Sequence, residues 1–347
     1  MEYRKLGRTE MEASVFCLGT MLFNLGQTRQ DSLKQMDMAV DHGINFFDVA
    51  EMYPVNPLSA ETTGDSERVI GEWLEKSGKR DDLIIATKVS GEGYMNVRGG
   101  AAISRATITE ALESSLRRLK TDYIDIYQMH WPNRGSYHFR KYWEFDASGQ
   151  NTQETLDSTL EILQTLQEFV DAGKIRHIGL SNDSAWGTMQ FLNIAEANGL
   201  PRVVTMQNEY SLINRMYDTD MAELSHNEDV GLITYSPLAT GLLTGKYSGD
   251  VTPDGSRRAR NETLGGRMTA AALAASDAYV EIARKHGIDP VHMALAFCVE
   301  RPFMASVIFG ASDVTQLAHI LKGVDLRLNA EINADILAVF RKYPRPM

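Results

Sequence analysis

Polar side chains stand at the ends of successive short apolar runs in this sequence of 347 residues. Asp48, Lys88 and His130 each come at or near the end of such a run. Carboxylate, ammonium and imidazole groups can transfer protons or stabilise charge that develops during a reaction. Taken alone, such an aspartate more often forms a turn or caps a helix, such a lysine can extend to solvent, and such a histidine is more often structural. Their shared placement at strand ends predicts one common site. The same placement recurs at Ser181-Asn182, Gln207 and Ser236.

Several familiar catalytic motifs are missing from the sequence. No G-x-G-x-x-G follows an apolar run, and no G-x-S-x-G is present. The segment from Gly241 to Tyr247 faintly resembles a P-loop, but its spacing is one residue short and Tyr247 replaces Ser or Thr. With neither H-E-x-x-H nor C-x-x-C, and with no tight histidine cluster along the chain, the sequence predicts no metal site.

The elements that must position these side chains alternate along the chain. Apolar runs predict eight β-strands, and the segments between them have a helical period, as at Ile108, Leu112, Leu116 and Leu119. Such alternation implies parallel strands joined by helices, and eight units favour a closed (β/α)₈ TIM barrel over an open sheet. We expect one α/β domain over residues 1–347. The predicted strands are 15–18, 44–49, 83–89, 123–130, 175–180, 203–206, 230–235 and 305–309.

Three further segments fall outside the repeating units. Residues 3–9 include a glycine turn and predict an N-terminal β-hairpin over the barrel floor. Two connections, 132–152 and 241–268, are longer than ordinary βα loops. The first carries five aromatic residues, and the second carries basic residues that include Lys246, Arg257, Arg258 and Arg260. We expect both to be long functional loops at the C-terminal rim of the barrel.

Composition narrows the class of partner. The net charge of −11 makes nucleic acid an unsuitable main partner, because an acidic chain repels phosphate backbones. No run of 18 apolar residues predicts a membrane span, and no signal peptide is visible. The only cysteines, Cys17 and Cys298, lie far apart in apolar runs, so we expect buried reduced thiols and a cytoplasmic setting. The oligomeric state cannot be read from the sequence.

Six segments resemble motifs of the aldo-keto reductase family and occur in the family's order. The resemblance covers nearly the whole chain. Taken as a whole, the sequence is most similar to bacterial Tas-like reductases and, more distantly, to potassium-channel β-subunits. The six segments are GINFFDVAEMY (43–53), ATK (86–88), YIDIYQMHW (123–131), GKIRHIGLSN (173–182), QNEYS (207–211) and YSPLATGLLTGKY (235–247).

The resemblance implies a barrel that binds a nicotinamide dinucleotide without the usual glycine-rich fingerprint. By position, Asp48, Tyr53, Lys88 and His130 match the family's catalytic residues. Tyr53 would donate a proton to the carbonyl oxygen that receives the hydride. A free phenol is a weak acid, and we expect Lys88 to lower its pKa. Asp48 would hold Lys88 charged, and His130 would orient the carbonyl oxygen.

The resemblance also implies contacts along the whole dinucleotide. Nicotinamide contacts match Asp48, Ser181, Asn182 and Gln207, with Tyr235 stacked under the ring. Pyrophosphate contacts match Ser236, Leu238, Gly241 and Lys246, followed by Arg257 as a basic clamp. The adenosine end matches Gly310, Ser312 and Gln316. Thr20, Met21 and Pro237 complete the implied set.

The chain departs from the family where the adenosine 2′-phosphate would bind. Many members carry Arg or Lys just after the glycine that matches Gly310, but this chain has Ser312-Asp313. Ile320 also replaces an asparagine that often reads adenine. An inward-pointing Asp313 would repel a 2′-phosphate. Lys246 and Arg257 still offer positive charge, so we expect NADP(H) as the first choice of cofactor, and Asp313 makes NAD(H) or dual use the alternative.

The expected substrate is a small carbonyl compound or the corresponding alcohol. Phe23, Tyr53, His130 and Trp131 would line its cleft, together with Met21 and the aromatic loop after Pro132. Aromatic walls suit hydrophobic aldehydes and ketones. Two other interpretations stay open: a cofactor-loaded regulatory or scaffold subunit, as the channel β-subunit resemblance allows, and a phosphate-binding barrel enzyme without nicotinamide.

Overall fold

Eight parallel strands close into a barrel in the computed structural model, which describes residues 1–25, 28–55, 57 and 59–347. An antiparallel hairpin, β1 (Tyr3–Lys5) and β2 (Glu12–Ser14), precedes them. The TIM barrel and the N-terminal hairpin predicted from the sequence are confirmed. The barrel strands are β3 (Phe16–Gly19), β4 (Phe46–Asp48), β5 (Ile84–Val89), β6 (Ile124–Met129), β7 (Ile175–Ser181), β8 (Val203–Gln207), β9 (Gly231–Thr234) and β10 (Met304–Phe309).

Helices lie between successive strands, as right-handed parallel crossovers require. Strand order follows chain order from β3 to β9, and β10 closes the barrel between β9 and β3. The helices are α1 (Arg29–Asp41), α2 (Asp65–Ser77), α3 (Arg105–Leu119), α4 (Thr152–Asp171), α5 (Ala185–Asn198), α6 (Asp220–Glu228), α7 (Arg257–Arg260), α8 (Ala270–Lys285), α9 (Pro290–Val299), α10 (Val314–Leu321) and α11 (Ala330–Lys342).

Alternate strand residues serve two separate cores, because successive side chains on a strand point to opposite faces. Phe46 and Ile126 belong to a small cluster inside the barrel, which Leu6 and Ala13 of the hairpin segment join. Phe47 belongs to the large outer core under the helices, where its ring lies 5.8 Å from that of Trp73 in α2. The strands are therefore apolar on both faces, as in the predicted runs.

The two long connections lie after β6 and β9. Residues 132–151 contain turns but no helix or strand, and residues 239–268 contain two short 3₁₀ helices, Ala239–Thr244 and Ser248–Asp250, several turns and the one-turn helix α7. Both cysteines are buried free thiols, as expected. Among the described residues, no helix is both long and apolar enough to cross a membrane.

Candidate active site

The ends of three adjacent strands bring four of the predicted side chains together. Asp48 ends β4, Lys88 lies near the end of β5, His130 directly follows β6, and Tyr53 lies in the segment after β4. The Lys88 Nζ donates to Asp48 Oδ2 at 2.8 Å and to the Val49 carbonyl at 2.7 Å. It also lies 5.0 Å from the centre of the Tyr53 ring, and the Tyr53 and His130 rings are 5.9 Å apart.

The second carboxylate oxygen of Asp48 accepts from glutamine amides. Gln207 Nε2, at the end of β8, donates to Asp48 Oδ1 at 2.7 Å, and Gln128 Nε2 from β6 donates to it at 3.5 Å. Sequence reasoning did not single out Gln128, although a polar residue within an apolar strand was the available signal. The buried Asp48 carboxylate thus has donors on both oxygens, which fixes its orientation beside Lys88.

Burial dominates the electrostatics of these groups. It raises the pKa of the Tyr53 phenol well above its ordinary value, and the Asp48 carboxylate raises it further. In this structure the pKa of Tyr53 is thus raised, whereas we expected Lys88 to lower it, because the loss of water on burial disfavours the charged phenolate. Burial also lowers the pKa of Lys88, against the opposing effect of Asp48.

The His130 imidazole is held neutral. Burial lowers its pKa well below the ordinary value, and the charge on Lys88 contributes in the same direction. Its buried Nδ1 has no hydrogen-bond partner among the described residues. A neutral imidazole with an unused ring nitrogen can bind a polar ligand atom without adding charge to the pocket.

A second hydrogen-bonded group adjoins the first. Tyr235, just after β9, donates from its hydroxyl to Asn182 Oδ1 at 2.7 Å. The Asn182 amide donates to the His130 carbonyl at 2.9 Å, and Ser181 Oγ donates to the Gln207 carbonyl at 2.8 Å. Asn182 adopts a left-handed backbone conformation with φ of 54°. These contacts place the residues matched to nicotinamide binding beside the Asp48–Lys88 pair.

The segment after Tyr235 has a backbone suited to holding an anion. Ser236, Ala239, Thr240 and Gly241 all have positive φ, and such turns can direct backbone N–H groups into one concavity. A Cβ at Gly241 would come within 2.7 Å of the Lys246 Cε, so glycine permits that lysine to fold back over the turn. Pro237 and Leu238 lie within the same turn.

Arg257 adds an unpaired cation. Burial, together with the charges on Arg267 and Arg140, lowers the pKa of its guanidinium to about 10. Arg267 and Arg140 both donate to Glu209, at 2.6 and 3.0 Å, whereas Arg257 has no ion pair within the described part of the chain. Sequence reasoning selected Arg257 but missed the other three, whose pairing depends on loops from different strands.

The remaining predicted cofactor residues surround β3 and β10. Thr20 follows β3 and donates from Oγ1 to the Asp48 carbonyl at 2.8 Å, and Met21 comes next. Gly310 directly follows β10, beside the Gly19 carbonyl. Ser312 N donates to Gln316 Oε1 at 3.2 Å, so this pair lies together at the start of α10.

Aromatic side chains extend from the buried groups toward the long loop. The Trp131 ring lies 4.9 Å from that of His130, and Phe139 lies 6.0 Å from Trp131. Phe23, which follows β3, is buried in the large core cluster that also contains Tyr53. A cavity of about 1050 Å³ is lined by many residues of the long loop 132–151, and Met129 and Ser181 also line it. Tyr53, Lys88 and His130 do not line that cavity.

Comparison with known proteins decides the family. A sequence model of the Aldo/keto reductase family matches residues 15–340. The chain belongs to this family. It is 44% identical to Protein tas of Escherichia coli (strain K12), across 100% of this chain and 99% of that protein.

Two other relatives show the range within the aldo/keto reductase family. Aldo-keto reductase YhdN of Bacillus subtilis (strain 168) is 29% identical over 97% of this chain and 92% of its own length. A probable voltage-gated potassium channel subunit beta of Arabidopsis thaliana is 30% identical over 94% of this chain and 92% of its own length. Membership of the family makes the chain an aldo-keto reductase family oxidoreductase.

The residues present fit the nicotinamide dinucleotide that the family implies. Arg257 and Lys246 offer positive charge without a carboxylate partner in the described structure, and they follow along the chain a turn in which Ser236, Ala239, Thr240 and Gly241 have positive φ. A dianionic pyrophosphate suits such a cradle.

Proposed function

We propose that the protein is an NAD(P)(H)-dependent carbonyl reductase that interconverts an aldehyde or ketone with the corresponding alcohol. The observation that carries this proposal is the buried group of Asp48, Tyr53, Lys88 and His130 at adjacent strand ends, with Lys88 Nζ 2.8 Å from Asp48. A phenol, an ammonium, a carboxylate and a neutral imidazole form a proton-transfer set suited to carbonyl reduction.

Tyr53 donates its proton to the substrate oxygen during reduction and takes one back during oxidation. Burial keeps the phenol protonated in the resting site, because the pKa of Tyr53 is raised. As the phenolate forms, the charge on Lys88 stabilises it, since Lys88 Nζ lies 5.0 Å from the centre of the Tyr53 ring, and Asp48 keeps the ammonium in place. His130 supplies a neutral hydrogen-bonding group that orients the substrate oxygen.

The cofactor when bound supplies or accepts the hydride. Ser181, Asn182 and Gln207 would hold the carboxamide and Tyr235 the nicotinamide face, while Lys246 and Arg257 would hold the pyrophosphate. Gly310, Ser312 and Gln316 would meet the adenosine. NADP(H) is the first choice because these two cations are available, and NAD(H) or dual use is the alternative because of Asp313.

The proposed substrate is small and largely apolar. Trp131 supplies aromatic surface next to His130, and Phe23 belongs to the same buried cluster as Tyr53. Apolar walls with few polar groups are typical of sites for hydrophobic ligands. A panel of aldehydes, ketones and secondary alcohols with both cofactors would identify the preferred class and direction.

The Tyr53→Phe variant tests the proposal. We expect kcat to fall by about a hundredfold or more, because the proton donor is lost, while dinucleotide affinity measured by fluorescence titration stays near normal. Tyr127→Phe is a matched control, since the Tyr127 hydroxyl is buried outside the site without a partner in the described structure. Near-normal turnover by Tyr53→Phe would contradict the assignment.

The Arabidopsis channel-subunit relative supports a second candidate function, that of a cofactor-binding regulatory or scaffold subunit. The same measurements separate the two. Tight dinucleotide binding without turnover of any carbonyl or alcohol in the panel favours the regulatory subunit, whereas turnover that depends on Tyr53 favours the enzyme.

A further inference from the structure

Two histidines and an aspartate meet between helices α9 and α10. Asp289 precedes α9, His292 lies in its first turn, and His319 lies in the last turn of α10. One nitrogen of each imidazole and one Asp289 oxygen all lie within 4.8 Å of one another. None of the three belongs to the proposed catalytic or cofactor-binding set, so their convergence has no role in the proposed reaction.

The two carboxylate oxygens of Asp289 have different partners: one caps a helix and the other faces His319. Its Oδ1 accepts from the backbone N–H groups of Val291 and His292, at 2.8 and 3.3 Å, and so caps α9. Its Oδ2 lies 3.0 Å from His319 Nε2. The cap fixes the carboxylate and leaves Oδ2 directed at the imidazole.

His292 is held in one tautomer. Its Nε2 lies 2.8 Å from the His319 carbonyl oxygen, which can only accept, so Nε2 carries the proton in the neutral ring. The lone pair then lies on Nδ1. Metal-binding histidines commonly donate their second N–H to a backbone carbonyl in this way, which fixes the ring and strengthens the other nitrogen as a ligand.

Gly323 makes room for this ring. A Cβ at Gly323 would come within 2.1 Å of the His292 Cγ, a distance that real atoms cannot occupy. The turn after α10 therefore admits the imidazole only because residue 323 is glycine. Together with the bond from Nε2, this contact defines the position of the ring independently of Asp289.

We propose that Asp289, His292 and His319 form a Zn²⁺ site that links α9 to α10. Nδ1 of His292, Nε2 of His319 and Oδ2 of Asp289 are the ligands, and water takes the fourth position. Two imidazoles and one carboxylate suit zinc, whereas Mg²⁺ and Ca²⁺ prefer oxygen ligands throughout. The proposal departs from the sequence-based expectation of no metal site, because the two histidines are 27 residues apart.

Binding requires a small contraction of the group. Tetrahedral zinc with bonds of about 2.0–2.1 Å places its ligand atoms roughly 3.4 Å apart. The three ligand atoms lie within 4.8 Å of one another in this structure, so they must move slightly closer. The His319 side chain is half exposed and can move inward. In the metal-bound form the neutral His319 ring carries its proton on Nδ1 and presents the lone pair of Nε2 to the ion.

The test is titration of the tag-free protein with Zn²⁺ by calorimetry and with Co²⁺ by visible absorption. We expect one ion per chain and, for His319→Gln, affinity weaker by about tenfold or more. His286→Gln is the matched control, because His286 also pairs with a carboxylate, Asp335 at 2.7 Å, and belongs to no metal-binding group among the described residues. It should bind like the unaltered protein.

The opposite results overturn the proposal. One such result is that the unaltered protein binds no stoichiometric Zn²⁺ or Co²⁺. The other is that the unaltered protein and His319→Gln bind these ions with equal affinity. Because His319 is exposed, its variant should fold normally, as circular dichroism and Tm would show. Asp289→Asn keeps a capping oxygen but removes the charge, so it should also weaken binding, and unchanged affinity in that variant would count against the site. All these readouts are independent of catalytic activity.

Discussion

Lys88 has no exposed side-chain surface, and its charge is balanced within the barrel by Asp48. Removing one member of such a pair leaves the other charge buried and uncompensated, which is strongly destabilising. The glutamine amides of Gln207 and Gln128 complete the shell around the carboxylate. At the scale of single residues, the site therefore depends on the buried Asp48–Lys88 pair, in which replacing one member alone destabilises the fold.

His130 makes the stability of the fold depend on pH. Its pKa is lowered by burial, so the unfolded chain binds a proton more readily than the folded one. The contribution of His130 to the free energy of unfolding is fully present above the pKa of histidine in the unfolded chain, about 6.5. It is lost as the pH falls from there toward the lower pKa of the folded state.

We expect His130→Gln to reduce the loss of stability between about pH 7 and pH 5. Each unit by which the folded pKa is lowered corresponds to about 1.4 kcal/mol. Tm measured across this pH range, for the variant and the unaltered protein, checks the expectation. His226→Gln, a change in α6, is the comparison, and a pH dependence unaltered by His130→Gln would show that the imidazole is not the source.

At the scale of elements, the start of α10 decides how the adenosine end can be recognised. Asp313 is the N-cap of this helix, and its Oδ1 accepts from Gln316 N at 2.8 Å. The helix N-terminus favours negative charge, and Asp313 already provides one there. A 2′-phosphate held by Ser312 and Gln316 would lie next to that carboxylate.

We therefore expect Asp313→Ser to raise kcat/KM for NADPH relative to NADH by about tenfold, because it removes the charge and keeps a capping oxygen. Steady-state kinetics with both cofactors at one ionic strength measures the ratio. Asp325→Asn, an exposed change beyond α10, is the charge control. An unchanged ratio in Asp313→Ser would place the carboxylate away from the 2′ position.

At the scale of the whole molecule, loops from different strands are tied together over the rim. Glu209, after β8, accepts from Arg140 of the long loop after β6 and from Arg267 of the long loop after β9. All three side chains are largely buried, so the pairing is screened little by solvent. The two long loops are thereby fixed against each other beside Arg257.

Glu209→Gln should lower Tm by about 5 °C or more, because two buried guanidinium groups lose their counter-charge. Thermal unfolding measures the effect. Glu168→Gln breaks an exposed ion pair with Arg105 and should leave Tm nearly unchanged. Equal shifts in the two variants would show that the buried pairing contributes no more than a surface one.

The sequence predicted the barrel well because its signals are local. Apolar runs and a helical period between them predicted β3–β10, and polar residues at six of the eight strand ends predicted the rim to which Asp48, Lys88 and His130 belong. The resemblance to aldo-keto reductases supplied Tyr53 and the cofactor set, whose roles stay predictions. The division into a single domain over 1–347 also stays a prediction.

Only the tertiary structure decided which distant side chains meet and how buried they are. The pairing of Glu209 with Arg140 and Arg267, the approach of His319 to Asp289, and the direction of the Tyr53 pKa have no local signature. A strand is recognisable from a few neighbouring residues, since its pattern follows from its own geometry. Contacts between loops and the loss of water around a phenol exist only after the barrel has closed. The whole sequence determines them, but no short sequence pattern predicts them.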